Sequence, residues 1–99
     1  MKKSELTHQF LIGRLSYSPL TGIFRWRSIP QNKQFAGKVA GRRAKDGTGI
    51  VIQILDEKWT ASRLAIFYMT GVKPSGRVQH RNKDPYDCRY ENLKETQHD

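Results

Sequence analysis

Hydrophobic positions along the chain recur with two spacings, and the switch between them marks out the elements. Leu6, Phe10, Leu11 and Leu15 are placed to share one helical face, and Ser4 stands where a side chain can cap that helix. Tyr17-Ser18-Pro19-Leu20-Thr21-Gly22 reads as a turn punctuated by Pro19 and Gly22. Ile23-Phe24-Arg25-Trp26-Arg27 then alternates in period two, a strand with Phe24 and Trp26 toward a core and Arg25 and Arg27 outward. From Ser28 to Gly49 the alternation dissolves into a long polar stretch. Ile50-Val51-Ile52-Gln53-Ile54-Leu55 is the strongest strand signal, and Asp56-Glu57-Lys58 turns it into a hairpin with Trp59-Thr60-Ala61. Ser62 is the expected cap of a helix over Arg63 to Thr70, with Leu64, Phe67 and Tyr68 on one side and Gly71 ending it.

Beyond the linker Val72-Lys73-Pro74-Ser75-Gly76, the strand Val78-Gln79-His80 meets the turn-rich loop Asn82-Lys83-Asp84-Pro85. Asp87 is then the expected N-cap of a helix from about Cys88 onward. This pattern predicts an α+β fold, one small domain with antiparallel strands. Its parts are an N-terminal helix over 1–15, strands and a basic loop over 16–61, a helix over 62–71 and a final motif over 76–99.

Composition sharpens the picture in two ways. The chain has 99 residues with 36% hydrophobic content, enough for one modest core. Its 18 Lys and Arg outnumber 9 Asp and Glu, for a net charge of +9, so polyanions are the natural partners. The polar stretch from Ser28 to Gly49 therefore reads as a loop or ribbon against a duplex backbone, with Arg42, Arg43 and Lys45 as phosphate contacts, or else as a merely solvated loop. Cys88 is the single cysteine, so neither a disulfide framework nor structural zinc is expected. No apolar run approaches membrane-spanning length and Met1-Lys2-Lys3 opens no signal peptide, which makes a cytoplasmic location the expectation.

The segment Val78-Gln79-His80-Arg81-Asn82-Lys83-Asp84-Pro85-Tyr86-Asp87-Cys88-Arg89-Tyr90-Glu91-Asn92-Leu93 resembles the HNH endonucleases of the His-Me finger, or ββα-metal, class. The phage and homing branch commonly carries V-[DN]-H-x-N-x-D-x-x-D-N-R-x-E-N-L there, and Val78, His80, Asn82, Asp84, Asp87, Arg89, Glu91, Asn92 and Leu93 match it. The likeness extends upstream. Leu15-Ser16-Tyr17-Ser18-Pro19-Leu20-Thr21-Gly22-Ile23-Phe24-Arg25-Trp26 resembles the L-x-Y-D-P-x-T-G-x-F-x-W opening of short phage HNH proteins, and Arg63-Leu64-Ala65-Ile66-Phe67-Tyr68-Met69-Thr70-Gly71 resembles their H-R-L-A-W-x-Y-x-T-G helix.

The resemblance implies a C-terminal ββα-metal motif in which His80 is the general base of phosphodiester hydrolysis and Asn92 braces the loop that orients it. It also implies double-stranded DNA as partner, Arg81 and Arg89 as flanking phosphate contacts, Mg²⁺ or another divalent cation as cofactor, and a phage or mobile element in a bacterial host as source. Two positions depart from the pattern. Gln79 stands where an Asp ligand is usual, and a neutral carbonyl holds a hard cation less strongly. The second ligand of larger members falls about nine residues past the middle asparagine, or roughly two and a half helical turns, leaving His98 or Asp99 to substitute. Ser62 and Cys88 also stand where His and Asn are usual.

Three readings follow. In the first, the chain is a DNA-binding protein of HNH lineage whose catalysis is weak or lost. In the second it is an active metal-dependent nickase using His80, with Gln79 and His98 as ligands. In the third it is a basic RNA- or partner-binding protein. A homodimer suits a motif that addresses one strand, and a protein partner could complete the site.

Overall fold

The computed structural model describes residues 6–27, 36–47, 49–55, 57–74 and 76–95. Helix α1 (His8–Arg14) begins later than the periodicity suggested. Its N-cap is Thr7, whose hydroxyl accepts from the Phe10 amide, while Ser4 lies outside the described residues. The chain passes directly into β1 (Leu15–Tyr17), which pairs antiparallel with β2 (Phe24–Trp26) so that Leu15 faces Trp26 and Tyr17 faces Phe24. Phe24 is buried and Trp26 half-buried, as the alternation predicted.

Part of the polar stretch is ordered against this ribbon. The Gly37 amide donates to the Trp26 carbonyl, the Trp26 amide to Lys38 and the Ala40 amide to Phe24, at 2.8, 2.9 and 2.8 Å.

A second sheet runs β3 (Arg42–Arg43), β4 (Ile50–Ile54), β5 (Glu57–Thr60), with antiparallel neighbours throughout. Its hairpin is tighter than expected. Glu57 and Lys58 are paired with Ile54 and Gln53 in the ladder instead of forming the turn, and Leu55 takes a positive φ of 52°. Helix α2 (Ala61–Thr70) follows with no linker. Thr60 is the N-cap, its hydroxyl accepting from the Arg63 amide at 3.4 Å, and the anticipated cap Ser62 sits inside the first turn. Gly71 ends the helix in the left-handed conformation that favours glycine.

Ile52 and Ile54 from β4 meet Leu64, Ala65 and Phe67 of α2 in the core, which also takes in Leu11, Leu15 and Phe24. Leu64 is wholly buried, a placement that contributes about 2 kcal/mol. The architecture is α+β, with two helices and antiparallel sheets among the described residues.

Arg63 fixes the path out of α2. Its guanidinium donates to the carbonyls of Pro74 and Gly76, both at 2.9 Å, and so holds the linker that delivers β6 (Val78–His80). The expected helix from Cys88 is not formed. A single 3-10 turn (Tyr90–Asn92) leads into β7 (Leu93–Glu95), which pairs with β6 in the register Val78↔Glu95, Gln79↔Lys94, His80↔Leu93. Ladder hydrogen bonds to a distant strand outweigh the local cap signal of Asp87. Residues 78–95 thus form an antiparallel strand pair around a loop, a strand standing at Leu93–Glu95 where a helix was expected.

Candidate functional site

The loop between β6 and β7 is held by its own side chains. Asn82 and Asn92 clasp each other: the Asn82 amide donates to Asn92 Oδ1 at 3.0 Å, and Asn92 Nδ2 donates to Asn82 Oδ1 at 3.0 Å. Asn92 Nδ2 also donates to the Asp87 carbonyl at 2.9 Å, and the Arg81 amide donates to the Asn92 carbonyl at 2.7 Å. Hydrogen bonds to both the oxygen and the nitrogen of this buried side-chain amide offset the cost of its desolvation.

Asn82 Nδ2 donates to Asp87 Oδ2, the Asp84 amide to Asn82 Oδ1, and the Tyr86 amide to Asp84 Oδ1, at 2.8, 2.9 and 3.0 Å. Asp87 receives the fork of Arg89, with Nη2 at 2.8 Å and Nε at 2.9 Å. Hydrogen bonds from that guanidinium hold the Asp87 carboxyl down at about 2, against its opposing partial burial. Arg89, named above as a phosphate contact, is therefore committed to Asp87, with Glu91 at 3.3 Å.

Two glycine-bearing turns clamp this loop from outside. At Gly22, φ is +76° and a Cβ would lie 2.4 Å from both the Arg89 nitrogen and the Cys88 carbonyl carbon. The Tyr90 amide donates to Pro19 in the same turn at 3.0 Å, and the Tyr17 hydroxyl donates to the Cys88 carbonyl. On the other side Gly49, φ +130°, would bring a Cβ within 2.9 Å of the Pro85 carbonyl oxygen. Arg43 stacks its guanidinium 4.4 Å from the Tyr86 ring centre. Burial pushes the Cys88 thiol up to about 11, so it stays protonated.

His80 sits at the end of β6, half-buried, with Nε2 out of solvent contact and without a hydrogen-bond partner. Burial lowers its pKa from the ordinary imidazole value, against the opposing pull of Asp84 and Asp87. Beside it opens a cleft of about 480 Å³ lined by Gln79, His80, Arg81, Lys83, Pro85 and Lys94. Lys83 is held at φ 64°, a left-handed conformation that is strained for a residue with a Cβ, and its amide donates to the His80 carbonyl at 2.9 Å.

The sequence-predicted residues separate into distinct places. His80, Asn92, Gln79 and Arg81 belong to the β6–β7 unit. Arg42 and Arg43, adjacent in β3, point to opposite faces of their sheet as strand geometry requires, and Arg43 is the one that reaches the site loop. Lys45 is exposed in the turn after β3. His98 and Asp99 lie outside the described residues.

A hard divalent cation takes oxygen ligands, several of them charged. The cleft residues offer one amide oxygen, one imidazole and three cationic side chains, and no group of three His, Cys, Asp or Glu that could hold a metal exists among the described residues. The described cleft therefore does not fit such an ion by itself. The contributions of Gly22, Gly49, Tyr17 and the Arg43–Tyr86 stack are invisible to local pattern reading, since each depends on a partner far along the chain. Only the Thr21-Gly22 turn within the upstream motif hinted at one of them.

No helix among the described residues is long and apolar enough to cross a membrane. No family model matches the chain, and the searches of curated proteins and of solved structures return no match.

Proposed function

We propose that the protein binds double-stranded DNA as a member of the HNH lineage in which catalysis is weak or lost. The observation that carries this reading is the lining of the cleft beside His80, where Arg81, Lys83 and Lys94 surround the histidine and Gln79 takes the place of an acid. Three cations suit a phosphodiester oxygen, and they repel a divalent metal. The net charge of +9 supplies the long-range attraction.

The second reading is an active metal-dependent nickase with His80 as base. One observation favours it: burial lowers the imidazole pKa toward the neutral form that a base requires, against the opposing pull of Asp84 and Asp87.

Supercoiled plasmid incubated with Mg²⁺, Mn²⁺ or EDTA, for wild type and His80→Ala, separates the two. A salt-sensitive gel shift with no nicking is expected. Metal-dependent nicking that disappears in His80→Ala would replace the first reading with the second, and no duplex binding even at low salt would sink both.

A further inference from the structure

The cations of the His80 cleft reach it from three directions. Arg81 follows β6, and its amide carries the ladder one step further by donating to the Asn92 carbonyl at 2.7 Å. Gln79, two residues earlier, shares its side of the ribbon, and the register sets Lys94 of β7 opposite Gln79 on that side. Lys83 joins them from the loop.

Among the described residues no ion pair commits any of these three cations, whereas Arg89 is taken by Asp87. The loop carboxylates are turned to other partners, Asp84 to the Tyr86 amide and Asp87 to Arg89. Like charges gathered in one cleft repel one another until an anion balances them. Lys83 is the informative member. Its φ of 64° is strained for a residue with a Cβ and costs glycine nothing, and its side chain is exposed. Backbone strain at an exposed cation that no ion pair holds points outward, to a ligand.

Resting on the DNA-binding reading above, we propose that this cleft takes the terminal phosphate of a DNA strand, a phosphomonoester, in preference to the diester linkages within a strand. Charge separates the two. An internal diester carries one negative charge, whereas a terminal monoester carries about −1.5 to −2 at pH 7 and presents three strong acceptor oxygens. Three cationic donors, enough for one on each oxygen, match the monoester. Size agrees. A cleft of about 480 Å³ falls within the roughly 300–1,000 Å³ of pockets that enclose a small ligand, so an end nucleotide has room in it. The Gln79 amide, both donor and acceptor, stands beside Lys94 to hydrogen-bond the sugar or base of that nucleotide. Lys83 sets the preference, because its ammonium adds charge that a diester does not require.

The test is fluorescence anisotropy in EDTA with hairpin duplexes of one stem sequence that end in a 5′-phosphate, a 3′-phosphate or hydroxyls only, and with a closed dumbbell that has no end. Wild type is expected to favour a phosphorylated end over the hydroxyl end and the dumbbell by about tenfold, the scale of one hydrogen bond to a charged group. A preference at either terminus supports the proposal and names the end that is held. Inorganic phosphate, added at constant ionic strength, should displace the phosphorylated duplex and spare the dumbbell. Lys83→Gly should melt no lower than wild type, because glycine relieves the left-handed strain, and should cut the preference to about threefold or less. Lys83→Gln should lose the same preference while keeping the Cβ, and Lys83→Arg should retain it. Lys45→Ala removes an equal charge outside the cleft and should weaken binding to every duplex alike.

Equal binding of phosphorylated, hydroxyl and closed duplexes by wild type overturns the proposal while leaving DNA binding intact. So does inorganic phosphate that displaces all of them alike, or a preference that Lys83→Gly and Lys83→Gln leave whole. Failure of wild type to bind any duplex even at low salt overturns the underlying reading too.

Discussion

The apolar core and the site loop fix the chain by opposite means. Around Leu64 and Phe24 the backbone is held by burial, a non-directional force that tolerates substitutions of similar volume. Between His80 and Leu93 it is held mainly by directed bonds among Asn82, Asp84, Asp87, Arg89 and Asn92, while Cys88 anchors the loop in the core. The first mode makes a stable body. The second makes one loop conformation and no other, because a hydrogen bond misplaced by an ångström is lost. A surface that must present a histidine and three cations in fixed relation needs the second mode, supported by the first.

The largest expected effect joins the two modes at Gly22. Gly22→Ala places a Cβ against backbone atoms of the loop and in a strained φ, which should lower stability by about 3 kcal/mol, measured by urea denaturation. A variant as stable as wild type would mean the turn and the loop are not in close contact.

Next is Asn92→Ala, which strands the Asn82 amide and the Asp87 carbonyl and should lower stability by about 2 kcal/mol. Hydrogen exchange should locate the loss at residues 81–89. Uniform loosening of the whole chain would argue instead that Asn92 belongs energetically to the core.

Smaller is the contrast between neighbouring arginines. Arg43→Ala should lower stability by about 0.5–1 kcal/mol through its stack on Tyr86. Arg42→Ala should leave the melting temperature unchanged and reduce the salt dependence of DNA affinity by about 0.9 in slope. If the two variants behave alike, the division of roles across β3 is wrong.

The smallest effect is a pH dependence. The folded state lowers the His80 pKa below the unfolded value of about 6.5. The unfolded chain then binds more protons in the window just below that value, so stability rises with pH up to it and falls as the solution is acidified through it. His80→Gln should flatten this part of the profile just below about pH 6.5. Asp87 acts separately and lower: its carboxyl, held near 2, stabilises the fold above the ordinary carboxylate range and loses that contribution as pH falls toward 2.

Most of the core was legible in the chain because burial leaves a periodic trace. Phe24 and Trp26, the isoleucines of β4, and Leu64 with Phe67 all announced their faces by spacing. Helix starts were less legible. Hydroxyl residues stand at more than one candidate position, and tertiary packing selected Thr60 over Ser62. The last element was misread for a clearer reason. Asp87 carries a cap signal, but its carboxylate is taken by Arg89, and Leu93 to Glu95 find ladder partners in β6 that no local window contains.

The spacing from Val78 to Leu93 singled out the segment that forms this loop, yet what each residue does in it was only partly legible. Arg89 reads as a free cation in sequence and is an internal strut in space. Arg42 and Arg43 read as a pair and are divided by the pleat of β3.

The glycine contacts at residues 22 and 49 have a consequence for engineering. A loop whose conformation is written wholly in its own side chains ought to be portable, a cassette to be grafted between any two strands of suitable spacing. This one is not. Its backbone at Cys88 and Arg89 comes so near the first turn, and Pro85 so near the entry to the fourth strand, that a recipient scaffold must supply two indentations with no Cβ at the matching places. The smallest transplantable unit therefore includes the turn at Gly22 together with Arg43 and Gly49, and a library that varies Arg81 and Lys83 must keep both indentations as well as the Arg89–Asp87 pair.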